Sequence, residues 1–312
     1  MRHGLMLKFG IGAVFVFASA FAADEAQSAG APRQVTPNSA NHGFASVYGD
    51  VPADQAEGLS TSDRIKSAAA SGAPTLVWEA LEHGEKVECL DCIAAVAPLL
   101  YDSSAKNREI AAWWLRRRIF GVFGQGEVYQ LTIQTLSSDA DPVRRAYAAS
   151  ALGEFFAAPG IAACAQALTT DGDARVRAAA ASALGRLNDD GAGALGTALA
   201  DADPSVKIAA LGAATVINSF SGLAHVAALA MDANPAVRRR AVEALDALGA
   251  KDAVTVVAAV AQNDTDALVR AAACHALGGF GDASARPVLQ ALGQDDADTF
   301  VRDQAQIALR RL

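Results

Sequence analysis

The sequence predicts an all-α fold, a right-handed α-solenoid of stacked helix pairs, from three observations. One phrase recurs six times between Asp141 and Leu312: an Asp or Asn, two variable residues, usually Val, a basic residue, then alanines and a Leu. Its copies start at Asp141, Asp173, Asp203, Asn234, Asp266 and Asp298, spaced 32, 30, 31, 32 and 32 residues apart. Shorter apolar segments, each opening near a Gly or Pro, run between the copies. Self-similarity at this period means stacked units, each too small to bury its apolar face alone.

The chain opens on MRHGLMLK, with Arg2 and Lys8, followed by the apolar run FGIGAVFVFASAF and then Ala20-Phe21-Ala22. A basic start, a short apolar run and small residues predict a secretory signal over 1–23, too short to span a membrane. Residues 24–60 are rich in Ala, Gly, Ser, Pro and Asn and read as a flexible tether. TSDRIKSAAAS and PTLVWEALEHGE predict two helices of an N-terminal cap over 61–87. Seven repeats are expected over 88–312. The first is divergent: CLDCIAAVAPLL supplies one helix, and Ser104 caps a second that carries Trp113 and Trp114. The aromatics Trp113, Trp114, Phe120 and Phe123 are expected to seal this end, since terminal repeats lack a neighbour.

Within each later copy the Asp or Asn is an N-cap, accepting from free amides of the first turn. Pro204 and Pro235 follow it where a missing N–H costs nothing. Counting the cap as zero, position three is Val176, Val206, Val237, Val269 and Val301, with Arg144 the exception. Positions seven and ten are alanine in all six copies. Positions three, seven, ten and eleven share one helical stripe, which is the buried one.

This D-x-x-V-R-x-x-A-x-x-A-L-G phrase resembles the short HEAT-like repeats of phycobilin lyases and many bacterial proteins, an armadillo-like superhelix. The resemblance covers about 88–312 and bears on architecture more than activity. It implies a structural ladder in which the basic residue of each repeat meets the acidic caps of its neighbours. The basic positions are Arg108, Arg145, Arg177, Lys207, Arg238, Arg270 and Arg302; the caps are Asp141, Asp173, Asp203, Asn234, Asp266 and Asp298. Deoxyhypusine hydroxylase, an enzyme of HEAT-like architecture, binds iron through His-Glu pairs. No His-Glu dipeptide occurs here, so that activity does not carry over.

The formal charge is -8, and about -10 without the signal, which disfavours nucleic acid as a partner. Cys89 and Cys92 stand in C-x-x-C spacing at a helix start. A local disulfide is the leading reading, ahead of a redox-active or a reduced pair. Cys164 and Cys274 belong to distant repeats and read as buried small hydrophobes. His275 falls in register with Glu243 and reads as a surface residue rather than a metal or acid–base site. No catalytic constellation and no cofactor are expected.

Positions five, nine and twelve of the second helices are expected to line the concave side. They include Ala146, Ser150, Gly153, Ala178, Ser182, Gly185, Ile208, Gly212 and Thr215. Glu109, Trp113, Arg116 and Arg117 would flank one end of this channel, Arg239, Glu243 and Asp246 the other, with Trp113 exposed as an anchor. The sequence thus predicts an exported, non-enzymatic scaffold that binds another protein on this face. The alternatives are a chromophore- or cofactor-handling protein like the lyases, or a thiol-redox accessory protein using Cys89 and Cys92.

Overall fold

The computed structural model describes residues 60–119 and 126–312. The signal, the tether up to residue 59, and the aromatics Phe120 and Phe123 assigned to the sealed end lie outside the described residues. Among those described there are sixteen α-helices, joined by turns and short 3-10 segments, in an all-α solenoid. α1 (Ser62–Ser71) and α2 (Pro74–His83) form the first pair. α3 (Leu90–Val96) and α4 (Ala105–Leu115) follow, then α5 (Glu127–Ser138) and α6 (Pro142–Phe155). The next pairs are α7 (Pro159–Thr170) with α8 (Ala174–Leu187), and α9 (Ala194–Ala198) with α10 (Pro204–Ala214). The last four helices but two are α11 (Leu223–Leu229), α12 (Pro235–Ala247), α13 (Val254–Asn263) and α14 (Ala267–Phe280). α15 (Arg286–Asp295) and α16 (Thr299–Leu309) are the last two.

Local chemistry sets the helix starts. The side chains of Asp141, Asp173, Asp203, Asn234, Asp266 and Asp298 each accept from the amide two residues on, at 2.8–2.9 Å. Removing such a cap typically costs about 1 kcal/mol. The valines at position three and the alanines at positions seven and ten are buried in every repeat that carries them. Alanine at these places brings helices together without a side chain to displace.

Position twelve departs from expectation. Gly153 and Gly185 do not line an open side; they are buried between consecutive second helices, as is Gly278. A Cβ on them would lie 2.9, 2.9 and 2.8 Å from the Cα atoms of Ala183, Ala213 and Ala308. The helices therefore touch backbone to side chain at each of these crossings. Gly185→Val should lower stability by about 1–3 kcal/mol through overpacking. Gly212→Val, whose nearest obstacle is the tip of Arg240 at 3.3 Å, should melt close to the parent protein. Equal melting shifts would refute this packing.

Position eight completes the seam and was not part of the predicted stripe. Ala149, Ala181, Leu211, Val242 and Cys274 are fully buried there, whereas its last copy, Gln306, is exposed. Position twelve likewise changes to exposed Arg310, the C-cap of α16. The seam positions of this helix are thus polar where most of its predecessors' are apolar or small, while Phe300 and Ile307 stay exposed on it.

The first end is closed differently. Trp114 is fully buried, and its indole N–H donates to the Gly84 carbonyl at 2.9 Å. Arg118, only 3 % exposed, stacks on that ring and donates to the carbonyls of Trp114, Gly84, Glu85 and Val87. The turn after α2 is thereby stitched to α4. Tyr129 is buried too, its hydroxyl donating to the Ala157 carbonyl at 2.9 Å.

Candidate partner-binding site

A ladder of ion pairs runs along the stack, but its acids differ from those expected. Arg145 grips Asp171, Arg177 grips Asp201, Arg238 grips Asp264 and Arg270 grips Asp296, each through two nitrogens at 2.6–2.9 Å. Lys207 meets Asp232 at 2.6 Å. These carboxylates stand two residues before the caps of the following repeat. Each also accepts from the backbone N–H of the cap residue itself. The caps are occupied by their own helices, so the reach between repeats falls to the residue two places earlier. The signal for it was present: Asp recurs at that position in every copy from Asp139 onwards.

The ladder ends at both sides. Arg108 stacks 3.8 Å over the Tyr147 ring and donates to the Asp102 and Ser103 carbonyls instead of reaching an acid. Arg302 donates to the Asp296 carbonyl. Arg144, the exception at position three, pairs with Asp139 and lies 4.4 Å over the Tyr101 ring.

Cys89 and Cys92 are joined in a disulfide with Cα atoms 5.3 Å apart. Cys89 is the N-cap of α3, and both residues are buried. Cys164 and Cys274 are free and buried, and burial pushes both thiols up to about 12. At neutral pH neither is a thiolate, the form that alkylates. Mass spectrometry after iodoacetamide should therefore show no adducts on the folded chain, two after denaturation and four after reduction as well. Native labelling of Cys274 would mean that the seam opens.

On the sides of the second helices, the predicted partner-binding residues fall into two groups. Glu109 and Ser150 share a hollow of about 240 Å3 with Tyr147, Glu154 and Arg186. Arg239 and Glu243 share another, of about 300 Å3, with His275, Leu268 and Phe300. Ser182 is exposed between them and Ile208 half-buried. Both serine hydroxyls donate back to the carbonyl four residues earlier, at 3.1 Å, which leaves smooth helix outside.

One expectation needs correction here, and two further residues find partners. Trp113 is half-buried and packs against the core rather than standing exposed. Its place as the outer aromatic belongs to Phe156, 54 % exposed, in a left-handed backbone conformation at the end of α6, with Arg116 above its ring at 5.5 Å. Arg117 pairs with Glu85. His275 is exposed, in keeping with its reading as a surface residue, and its Nδ1 lies 3.1 Å from Asp246, while Glu243 approaches Arg239 and Arg240. Sequence register alone put Glu243 opposite the histidine; the stagger between α12 and α14 brings Asp246, one turn along, into reach.

Among the described residues no group of three or more His, Cys, Asp or Glu could hold a metal ion. No helix among them is long and apolar enough to cross a membrane.

The geometry agrees with what the chain resembles. YibA from Escherichia coli aligns over 90% of this chain and 100% of its own, at 18% identity and a TM-score of 0.54. Kap95p, solved with RanGDP, aligns over 80% of this chain and 43% of its own, at 14% identity and a TM-score of 0.50. At such identities the likeness shows the fold alone. The CpcE–CpcF complex of phycocyanin lyase from Nostoc sp. PCC7120 reaches a TM-score of 0.40 at 23% identity, covering 70% of this chain and 86% of that one. No curated protein matches in sequence. HEAT repeats match residues 129–215, 194–270 and 222–310. These stretches run unbroken over more than half of the sequence and contain the capped second helices and most of the ladder, so the chain belongs to the family of HEAT repeats.

Proposed function

We propose that this HEAT-repeat chain is an exported scaffold that binds another protein along the concave side of its second helices, without chemistry of its own. The observation that carries this reading is the strip between the two hollows. Ser150 and Ser182 are exposed, Ala146 and Ala178 are half-buried, and none projects beyond a helix backbone by more than two heavy atoms. A partner's helix can approach such a strip closely, while the charged hollows at either end give it register. Exposed Leu268 and Phe300 at one hollow, and exposed Phe156 at the end of α6, offer the apolar contacts that anchor interfaces.

Use of Cys89 and Cys92 in thiol exchange has less support. Exchange needs a thiolate to reach one sulfur, and Cys92 is fully buried with Cys89 8 % exposed. Export rests on the N-terminal pattern alone. Its check is the intact mass of the periplasmic chain, which should begin at Ala23 or Asp24.

Binding is tested by placing bulk on the strip. Ser182→Arg should weaken capture of the periplasmic partner at least tenfold with an unchanged melting temperature. Thr197→Arg, also exposed but on a first helix, should leave both as they were. Normal capture by Ser182→Arg would move the binding surface elsewhere.

A further inference from the structure

A further hollow of the described fold lies on the first-helix side, away from the strip. Between α3 with its following 3-10 turn and α5 runs an apolar groove of about 700 Å3. Ile93, Ala97, Tyr101 and Val128 line it, and Leu90 and Leu131, 61 % and 60 % exposed, stand at its edges. A cavity of this size and lining has the dimensions of a ligand site, and two open leucines at its mouth are surface that water disfavours. α3, on one side of the groove, is only seven residues long.

The entry of the chain into the fold points to an occupant. The Ser60 hydroxyl donates to the Ala80 carbonyl at 2.6 Å. Cys92 Sγ lies 3.7 Å from the Ser62 carbonyl. Cys92 sits on α3, from which Ile93 lines the groove, as does Ala97 at the start of the 3-10 turn that follows. The chain therefore enters the fold one helix away from the groove. Before Ser60, the stretch 24–59 holds one apolar cluster at helical spacing: Phe44, Val47, Tyr48 and Val51. The nine residues from Val51 to Ser60 can span up to about 30 Å, against a helix diameter of about 10–12 Å. Reach is ample, and a tethered segment competes at a high effective concentration.

We propose that residues 43–51 of the same chain dock in this groove, with Phe44 and Tyr48 seated between α3 and α5. The reading is independent of what binds the second helices. It gives the stretch after the signal a task as an internal plug rather than a tether alone.

The test places a photo-crosslinking phenylalanine analogue at position 131, in place of exposed Leu131, in the chain with residues 24–312 intact. Irradiation should join position 131 to the peptide containing residues 43–51, within one molecule when heavy- and light-isotope chains are mixed. The double variant Phe44→Asp, Tyr48→Asp should reduce that crosslink at least tenfold at an unchanged far-ultraviolet circular dichroism spectrum. Hydrogen exchange should show protection of amides 44–51 in the parent and its loss in the double variant. A crosslink between heavy and light chains, to another protein, or to any other part of the chain would overturn the proposal. So would free exchange of amides 44–51 in the parent.

Discussion

Trp114→Ala should destabilise the protein by about 3–5 kcal/mol, the usual cost of emptying a buried aromatic site. The indole is fully enclosed, stacks against Arg118 and donates to the Gly84 carbonyl. Its loss leaves a cavity where the first pair of helices meets α4, and removes a partner from that carbonyl. The pair α1–α2 depends on this junction, so its amides should lose exchange protection before those of α8 or α14. Trp113→Ala should cost less, because its side chain is only half-buried. Thermal melts of the two variants check the order. If Trp113→Ala melts at the lower temperature, the assignment of buried and outer aromatic is reversed.

Breaking the ladder should have the next largest effect. Arg238 is 14 % exposed and Asp264 5 % exposed, and two hydrogen bonds at 2.6 and 2.7 Å join them. An exposed pair contributes about 0–1 kcal/mol, whereas stripping one partner from a buried pair costs about 3–5. Arg238→Ala should therefore cost about 2–3 kcal/mol. It also deprives the Asp232 and Ala233 carbonyls of their donor. Arg144→Ala, whose ion pair with Asp139 is more open, should cost less than half as much.

The ladder also sets the response to acid. Hydrogen bonds from Arg145, Arg177 and Arg270 hold the carboxyls of Asp171, Asp201 and Asp296 below their ordinary value of 3.8. At Asp264 burial works upward, yet the bonds from Arg238 and from the Asp266 amide outweigh it, and the net shift is again downward. A carboxyl with a depressed value in the folded state binds fewer protons than in the unfolded state. Its stabilisation is fully present above pH about 4 and is lost as pH falls through the folded value. The melting temperature should be flat near neutrality and drop steeply below pH 4. Arg238→Ala should make that drop shallower.

Much of this was legible in the chain itself. The caps, Val at position three and Ala at positions seven and ten follow from hydrogen-bond chemistry and a 3.6-residue period, both local. The enclosed Trp114 was legible as well, since it replaces a buried alanine in a terminal repeat. Where the reading missed, the missing term was the offset between neighbouring helices. Asp246 as the neighbour of His275 was not read at all, because register named only Glu243, without contact, and the stagger of α12 against α14 brings Asp246 in. The two glycines Gly153 and Gly185 looked like an open strip because a single helix shows one buried stripe. Their burial comes from the next helix in the stack, which no period within one repeat can report.

The division between the two sources follows from the range of the forces. Sequence by itself determined that the chain is a run of capped helix pairs, where each starts and which stripe of each is apolar, because these depend on residues within about two turns. Tertiary structure alone decided which Asp each ladder arginine grips, that position eight and the position-twelve glycines form the seam, and that Phe156 rather than Trp113 stands outermost. Those outcomes depend on the spacing and stagger between helices some thirty residues apart, and that geometry exists only once the repeats have packed.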